Sequence, residues 1–199
     1  EVHIINNAIS LPQIRHFDSF PSKVQDAINL LKSLKCSLLY IGTISQWFDF
    51  KLICEALDKK EDVQLVLIGP KDCDIPSHKQ IHYIGSVERQ YIYSLMEQAS
   101  ALVMPFIVNE LIRSVNPVKM YEYIYMEKPI IAPHYGEMEK FLPYINLYHD
   151  NDEFMSLVDQ LSKSELQISS EKGNEMKGFA EKNTWESRYE EVKKILFNV

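Results

Sequence analysis

The sequence predicts an α/β domain whose parallel sheet carries helices on both faces. Three observations predict it. The apolar residues gather in short blocks of strand length: Ser37 to Ile41, Gln64 to Ile68, Ile81 to Ile84, Ala101 to Met104 and Pro129 to Ala132. These blocks are mostly continuous rather than alternating, as in strands buried on both faces. Helical stretches lie between most of them, giving the repeated strand-then-helix order of parallel sheets. Finally, Gly42, Gly69 and Gly85 each directly follow an apolar block, where open parallel sheets turn tightly and collect ligands.

Taken in order, Lys23 to Leu34 sets Val24, Ala27, Ile28, Leu31 and Leu34 on one stripe at helical spacing, with Ser22 as its expected cap. The block from Ser37 is the first core strand, and Phe50 to Lys59 is the helix that returns the chain to the second. Ile81 to Ile84 is the third strand. A helix over Arg89 to Gln98, the strand from Ala101, a helix over Asn116 to Met126 and the strand from Pro129 follow. Parallel neighbours need such crossovers, and these stretches are long enough to supply them. Helices over Phe154 to Leu161 and about Ser164 to Lys182 come next. A last helix, about Trp185 to Leu196, carries Tyr189, Val192 and Leu196 at helical spacing behind a Thr184 cap. With no internal repeat, heptad, low-complexity tract or linker, residues 1–199 read as a single domain.

Of the 199 residues, 46% are hydrophobic and 25% charged, enough to build a core. Lys and Arg number 21 against 28 Asp and Glu, a net charge of −7 that disfavours nucleic-acid backbones and anionic membranes as partners. An anionic ligand therefore needs a local exception, built from a few basic side chains and a helix N-terminus. Cys36, Cys54 and Cys73 are too widely spaced for a CxxC motif, in keeping with a reducing compartment. No stretch approaches the roughly 20 apolar residues of a membrane span, and the opening residues have no signal-peptide character. That opening does not begin with Met, is already strand-like, and reads as if chain preceded it.

The sequence lacks GxGxxG, GxxxxGK[ST] and GxSxG, which argues against ordinary dinucleotide, P-loop and α/β-hydrolase sites. His78 and His82 lie before and within a strand rather than on one helix face. Asp72-Cys73-Asp74 falls in a loop ending at Pro76, where charged residues are usually just solvated. No metal site is expected from either.

The chemically dense segment runs from Asn109 to Tyr123. Pro117 suits a first helical turn, and Ser114 or Asn116 can cap the free amides behind it. On the resulting helix Lys119 and Glu122 are neighbours, one a donor for phosphate oxygens and the other a carboxylate able to accept from a ribose diol. The plain alternative is a surface ion pair worth a few tenths of a kcal/mol.

Those residues carry a resemblance. Ile5-Asn6-Asn7-Ala8, Tyr40-Ile41-Gly42 followed by Trp47 and Asp49, Leu65 to Pro70, Tyr83-Ile84-Gly85, and above all Asn116-Pro117-Val118-Lys119-Met120-Tyr121-Glu122-Tyr123 with Glu127-Lys128-Pro129-Ile130-Ile131 are similar to the C-terminal half of the GT-B fold glycosyltransferases. The long motif resembles the retaining subgroup that makes bacterial cell-surface polysaccharides. The resemblance implies a Rossmann-like half of a GT-B fold that binds a nucleotide diphosphate sugar, UDP- or GDP-linked, for transfer to a glycan or lipid-linked acceptor. It implies Glu122 on the ribose, Lys119 and Arg113 on the phosphates, Ser114 and Asn116 at the helix start, and backbone contacts from Gly42 and Thr43. The base would lie near Val87.

By the same resemblance no metal or other cofactor takes part, and the helix over 185–196 packs toward an N-terminal domain that supplies the acceptor site. The implied location is cytoplasmic, at the inner membrane face for a lipid-linked acceptor. The family's first donor-site glutamate falls on Ser114, so this chain departs from the family where the transferred sugar is held. That departure motivates a second reading, a non-catalytic nucleotide-binding or partner-docking domain. A phosphorylase or epimerase is a more distant third.

Overall fold

The computed structural model describes residues 2–12 and 19–197. In chain order it contains α1 (Ser22–Ser33), β1 (Cys36–Ile41), α2 (Phe50–Lys59), β2 (Val63–Ile68), β3 (Ile81–Gly85), α3 (Ile92–Glu97), β4 (Ala101–Val103), α4 (Glu110–Arg113), α5 (Val118–Tyr125), β5 (Ile130–Pro133), β6 (Asn146–Tyr148), α6 (Asn151–Ser162), α7 (Ser170–Lys182) and α8 (Trp185–Phe197). The six strands form one sheet in the order β3-β2-β1-β4-β5-β6, and every pairing is parallel.

Burial follows from position in that order. Every residue of β1, β4 and β5 is buried, whereas the edge strands β3 and β6 are only partly covered. This is why the central blocks are continuously apolar while β3 tolerates His82, whose ring meets Gln64 on β2 at 2.8 Å. Helix α2 packs with α6, while α1 packs with α3 and α5 with α7. Right-handed crossovers running in opposite directions from β1 place these two groups on opposite faces. The expected architecture is borne out.

Several local expectations are corrected. β6 escapes a search for apolar runs because it is three residues long and opens with Asn146; its pairing with β5 holds it. The stretch from Arg89 starts as a 3-10 turn, Arg89–Tyr91, before α3. Helix α7 begins at Ser170, not near Ser164, because Ser164 has φ +60 and Ser169 caps the helix by accepting from the Lys172 amide at 3.2 Å. Ser22 is not the cap of α1: Pro21 holds that position with extended backbone, and its carbonyl accepts the first helical bonds. Thr184 does cap α8, accepting from the Ser187 amide at 3.2 Å. The cysteines are free thiols. Among the described residues no helix is long and apolar enough to cross a membrane.

Candidate functional site

The strand order reverses between β1 and β4. From β1 the chain moves outward to β2 and β3, then returns to β4 and moves outward the other way. Loops leaving the two strands diverge there and open a crevice beyond their C-terminal ends. The loops are also tied together: the Asp49 amide donates to the Pro105 carbonyl at 2.8 Å, and the Ile107 amide donates to the Trp47 carbonyl at 2.8 Å. Asp49 in turn caps α2, accepting from the Leu52 amide.

Helix α5 is seated on this crevice. The pairing of β1 with β4 ends at Leu39 and Leu102, so the Ile41 amide has no strand partner on that side and donates instead to the buried Tyr123 hydroxyl at 3.1 Å. That anchor sets the start of α5 beside the Gly42 turn. Gly42 has φ +155, and a β-carbon there would overlap Lys119 Cε and lie 2.7 Å from Lys119 Nζ. The absence of a side chain at Gly42 is therefore what lets the Lys119 ammonium reach the end of β1.

Among the described residues no oxygen accepts a hydrogen bond from Lys119 Nζ. Burial holds its pKa below the usual lysine value; Glu122 pulls the other way, and Arg89 pushes it down further. The first turn of α5 has no side-chain cap. An unpaired ammonium beside free helix-start amides is a place for an anion.

Glu122 is buried, with 6% of its surface exposed. Arg89 Nη2 donates to its Oε1 at 2.7 Å, and the Tyr93 hydroxyl lies 3.5 Å from the same oxygen. Burial, and then the Glu122 charge, push the Tyr93 phenol upward. Two cavities lie on either side of the Gly42–Lys119 contact. One, of about 390 Å³, is lined by Thr43, Trp47, Phe106, Leu111, Asn116 and Lys119 among others. The second, of about 200 Å³, is lined by Gly42, Gly69, Val87, Arg89 and Ile92 among others.

Gly42, Thr43, Val87, Asn116 and Lys119 thus line the paired cavities, and Glu122 is joined to them through Arg89. Arg113 and Ser114 are exposed and line neither cavity. The expected caps are corrected. The Ser114 hydroxyl donates to the Leu111 carbonyl at 2.8 Å. Asn116 faces the opening segment instead: its Oδ1 accepts from the Asn7 amide, and its Nδ2 donates to Asn6 and to Glu137. Pro117 is the residue at the cap position. Nor do Lys119 and Glu122 form an ion pair, because the carboxylate is taken by Arg89. Arg89 and Tyr93 were not singled out from the sequence; their one trace there is the i,i+4 spacing that lets both reach one oxygen. Among the described residues no group of three or more His, Cys, Asp or Glu is placed to hold a metal ion.

Comparison with known proteins agrees with this architecture. No family model matches the chain. It is 24% identical over 166 residues to the Bacillus subtilis (strain 168) protein named "Putative teichuronic acid biosynthesis glycosyltransferase TuaH", a match covering 78% of this chain and 41% of that protein. Among solved structures, HepE of Anabaena in complex with UDP and glucose superposes with a TM-score of 0.67 at 12% identity, covering 91% of this chain and 53% of HepE. The Escherichia coli trehalose-6-phosphate enzyme bound with UDP-2-fluoro glucose gives 0.69 at 12% identity, over 91% and 48%. Sucrose-phosphate synthase of Thermosynechococcus elongatus gives 0.66 at 14% identity, over 86% and 47%. The chain has the fold of one half of a GT-B enzyme, and it spans about half the length of these solved relatives.

Proposed function

We propose that this chain is the donor half of a two-domain glycosyltransferase. It binds a nucleoside diphosphate sugar, UDP- or GDP-linked, and presents it for transfer to a glycan or lipid-linked acceptor. One observation carries the reading: at the switch point of the sheet, Lys119 holds an ammonium without a hydrogen-bond acceptor against Gly42, one turn from the buried carboxylate of Glu122. A cation and a carboxylate at that separation suit a diphosphate joined to a ribose. The solved structures of similar fold in complex with UDP, UDP-glucose or a UDP-sugar analogue support it.

The roles follow from placement. Lys119 and the first amides of α5 take the diphosphate, Glu122 the ribose, and the cavity beside Val87 the base. Gly42 and Thr43 contribute backbone contacts, and the larger cavity beyond Thr43 takes the sugar. Arg113 and Ser114 stay at the margin of this assignment because they line neither cavity. In transfer, the bond from sugar C1 to the phosphate oxygen breaks, the acceptor oxygen forms the new bond and loses its proton, and the diphosphate leaves with added negative charge. Lys119 and the helix start are preorganised to stabilise that charge.

The acceptor would be bound mostly by a second domain against which α8 packs. A cytoplasmic location, peripheral to the membrane for a lipid-linked acceptor, goes with this reading. Isothermal titration with UDP and GDP tests it: binding of one of them is expected, and binding of neither at millimolar concentration contradicts it.

A further inference from the structure

We infer that Arg89 is a positioning residue for nucleotide recognition: it fixes Oε1 of Glu122 so that Oε2 is presented to a ribose hydroxyl. The inference rests on the donor-site reading above. Three observations lead to it. Arg89 and Tyr93 both address Oε1, at 2.7 and 3.5 Å, and among the described residues no donor reaches Oε2. The carboxylate is nearly enclosed, with 8% of its side chain exposed, whereas 69% of the Arg89 side chain is exposed and borders the cavity beside Gly42 and Val87. Arg89 also comes from the turn after β3, so the pair joins the loop beneath the base to the helix that carries Lys119.

Arg89 also bears on Lys119. On α5 the carboxylate and the ammonium are three residues apart, a spacing at which Glu and Lys ordinarily pair. Here they do not, because Arg89 already compensates the carboxylate from another element. Without Arg89, the enclosed charge would keep only a phenol and would turn toward Lys119, the cation three residues back on the same helix. Both ligand-binding groups would then be spent on each other. Arg89 therefore keeps the ribose acceptor and the phosphate donor apart and available.

The test compares UDP with 2′-deoxy-UDP and 3′-deoxy-UDP on the wild-type chain, Arg89→Met and Arg89→Lys, each checked for fold by circular dichroism. A hydrogen bond to a carboxylate makes the wild type prefer UDP over at least one deoxy analogue by about tenfold. The Met variant is expected to lose most of that preference, and the Lys variant to recover part of it. An unchanged preference in Arg89→Met overturns the inference, since a merely structural ion pair would leave it intact. Equal weakening of all three nucleotides also overturns it, by making Arg89 a phosphate contact. Failure of the wild type to bind UDP at all sinks the donor-site reading itself, a result distinct from the other two.

Discussion

Lys119 stands in the space that a side chain at Gly42 would fill: a β-carbon at Gly42 would overlap Lys119 Cε and lie 2.9 Å from the Tyr40 hydroxyl. Gly69 is constrained differently, because a β-carbon there would overlap the carbonyl oxygen of Gly42, which is backbone. The two glycines therefore fail in different ways. Gly42→Ala displaces a flexible lysine and strains one residue, costing about 1–2 kcal/mol. Its UDP affinity is expected to fall about tenfold or more with the ammonium. Gly69→Ala has no flexible neighbour to move and is expected to cost about 3 kcal/mol or more. Urea unfolding and UDP titration of both variants separate the two effects.

The lysine also sets a pH dependence. Burial lowers the pKa of Lys119 in the folded chain below the usual 10.5, so the ammonium proposed to bind phosphate is lost sooner on raising pH than that of an exposed lysine would be. The folded state binds fewer protons than the unfolded state between the lowered value and 10.5, so this group's contribution to stability rises with pH in that window. UDP affinity is expected to move the opposite way and fall through it. Lys119→Arg keeps its charge and is expected to flatten that fall, measured by titration from pH 7 upward.

Cys36 reports on folding. It is buried on β1, and burial, with Asp62 nearby, pushes its thiol up to about 11. Thiolate is the reactive form, so Cys36 is expected to resist alkylation at pH 8 until the sheet opens. Cys54 and Cys73 are partly exposed and less strongly shifted. Mass spectrometry after brief iodoacetamide treatment should find label on those two residues first.

Helix α8 is held at its start and by one arginine rather than by a core. Its side chains include no buried residue, and Trp185, Tyr189, Leu196 and Phe197 are all exposed. Arg188 donates to the carbonyls of Asn6 and Asn7 and to Asn183 Oδ1. Thr184→Ala removes the cap and is expected to cost about 1 kcal/mol. Arg188→Met is expected to raise hydrogen exchange across both α8 and the opening segment while leaving the sheet protected.

The sheet was legible because its central strands are buried on both faces, which forces continuous apolar runs such as Leu38 to Ile41 and Leu65 to Ile68. β6 was not, since a three-residue edge strand needs no such run. Helix starts were read less well. A Ser or Asn in the right place suggests a cap, yet Ser114 turns back onto Leu111 and Asn116 bonds the opening segment. The Ser114 choice is a local one, three residues back, whereas that of Asn116 depends on residues more than a hundred positions away. Within the site, Gly42 and Lys119 were legible as a glycine at a strand end and a lysine in a first helical turn, whereas Thr43 and Val87 came from the family resemblance alone. Arg89 was not legible, because its partner Glu122 lies 33 residues further along and nothing local marks the pairing.

In the proposed site Lys119 and Glu122 divide the nucleotide between them, phosphate to one and ribose to the other, and a single titration separates their shares. Wild type, Lys119→Met and Glu122→Gln are each titrated with UDP and with uridine by ligand-observed NMR. Lys119→Met is expected to weaken UDP by about tenfold or more while leaving uridine unchanged, and Glu122→Gln to weaken both. Equal binding of UDP by all three chains, or loss of uridine in Lys119→Met, would contradict this division.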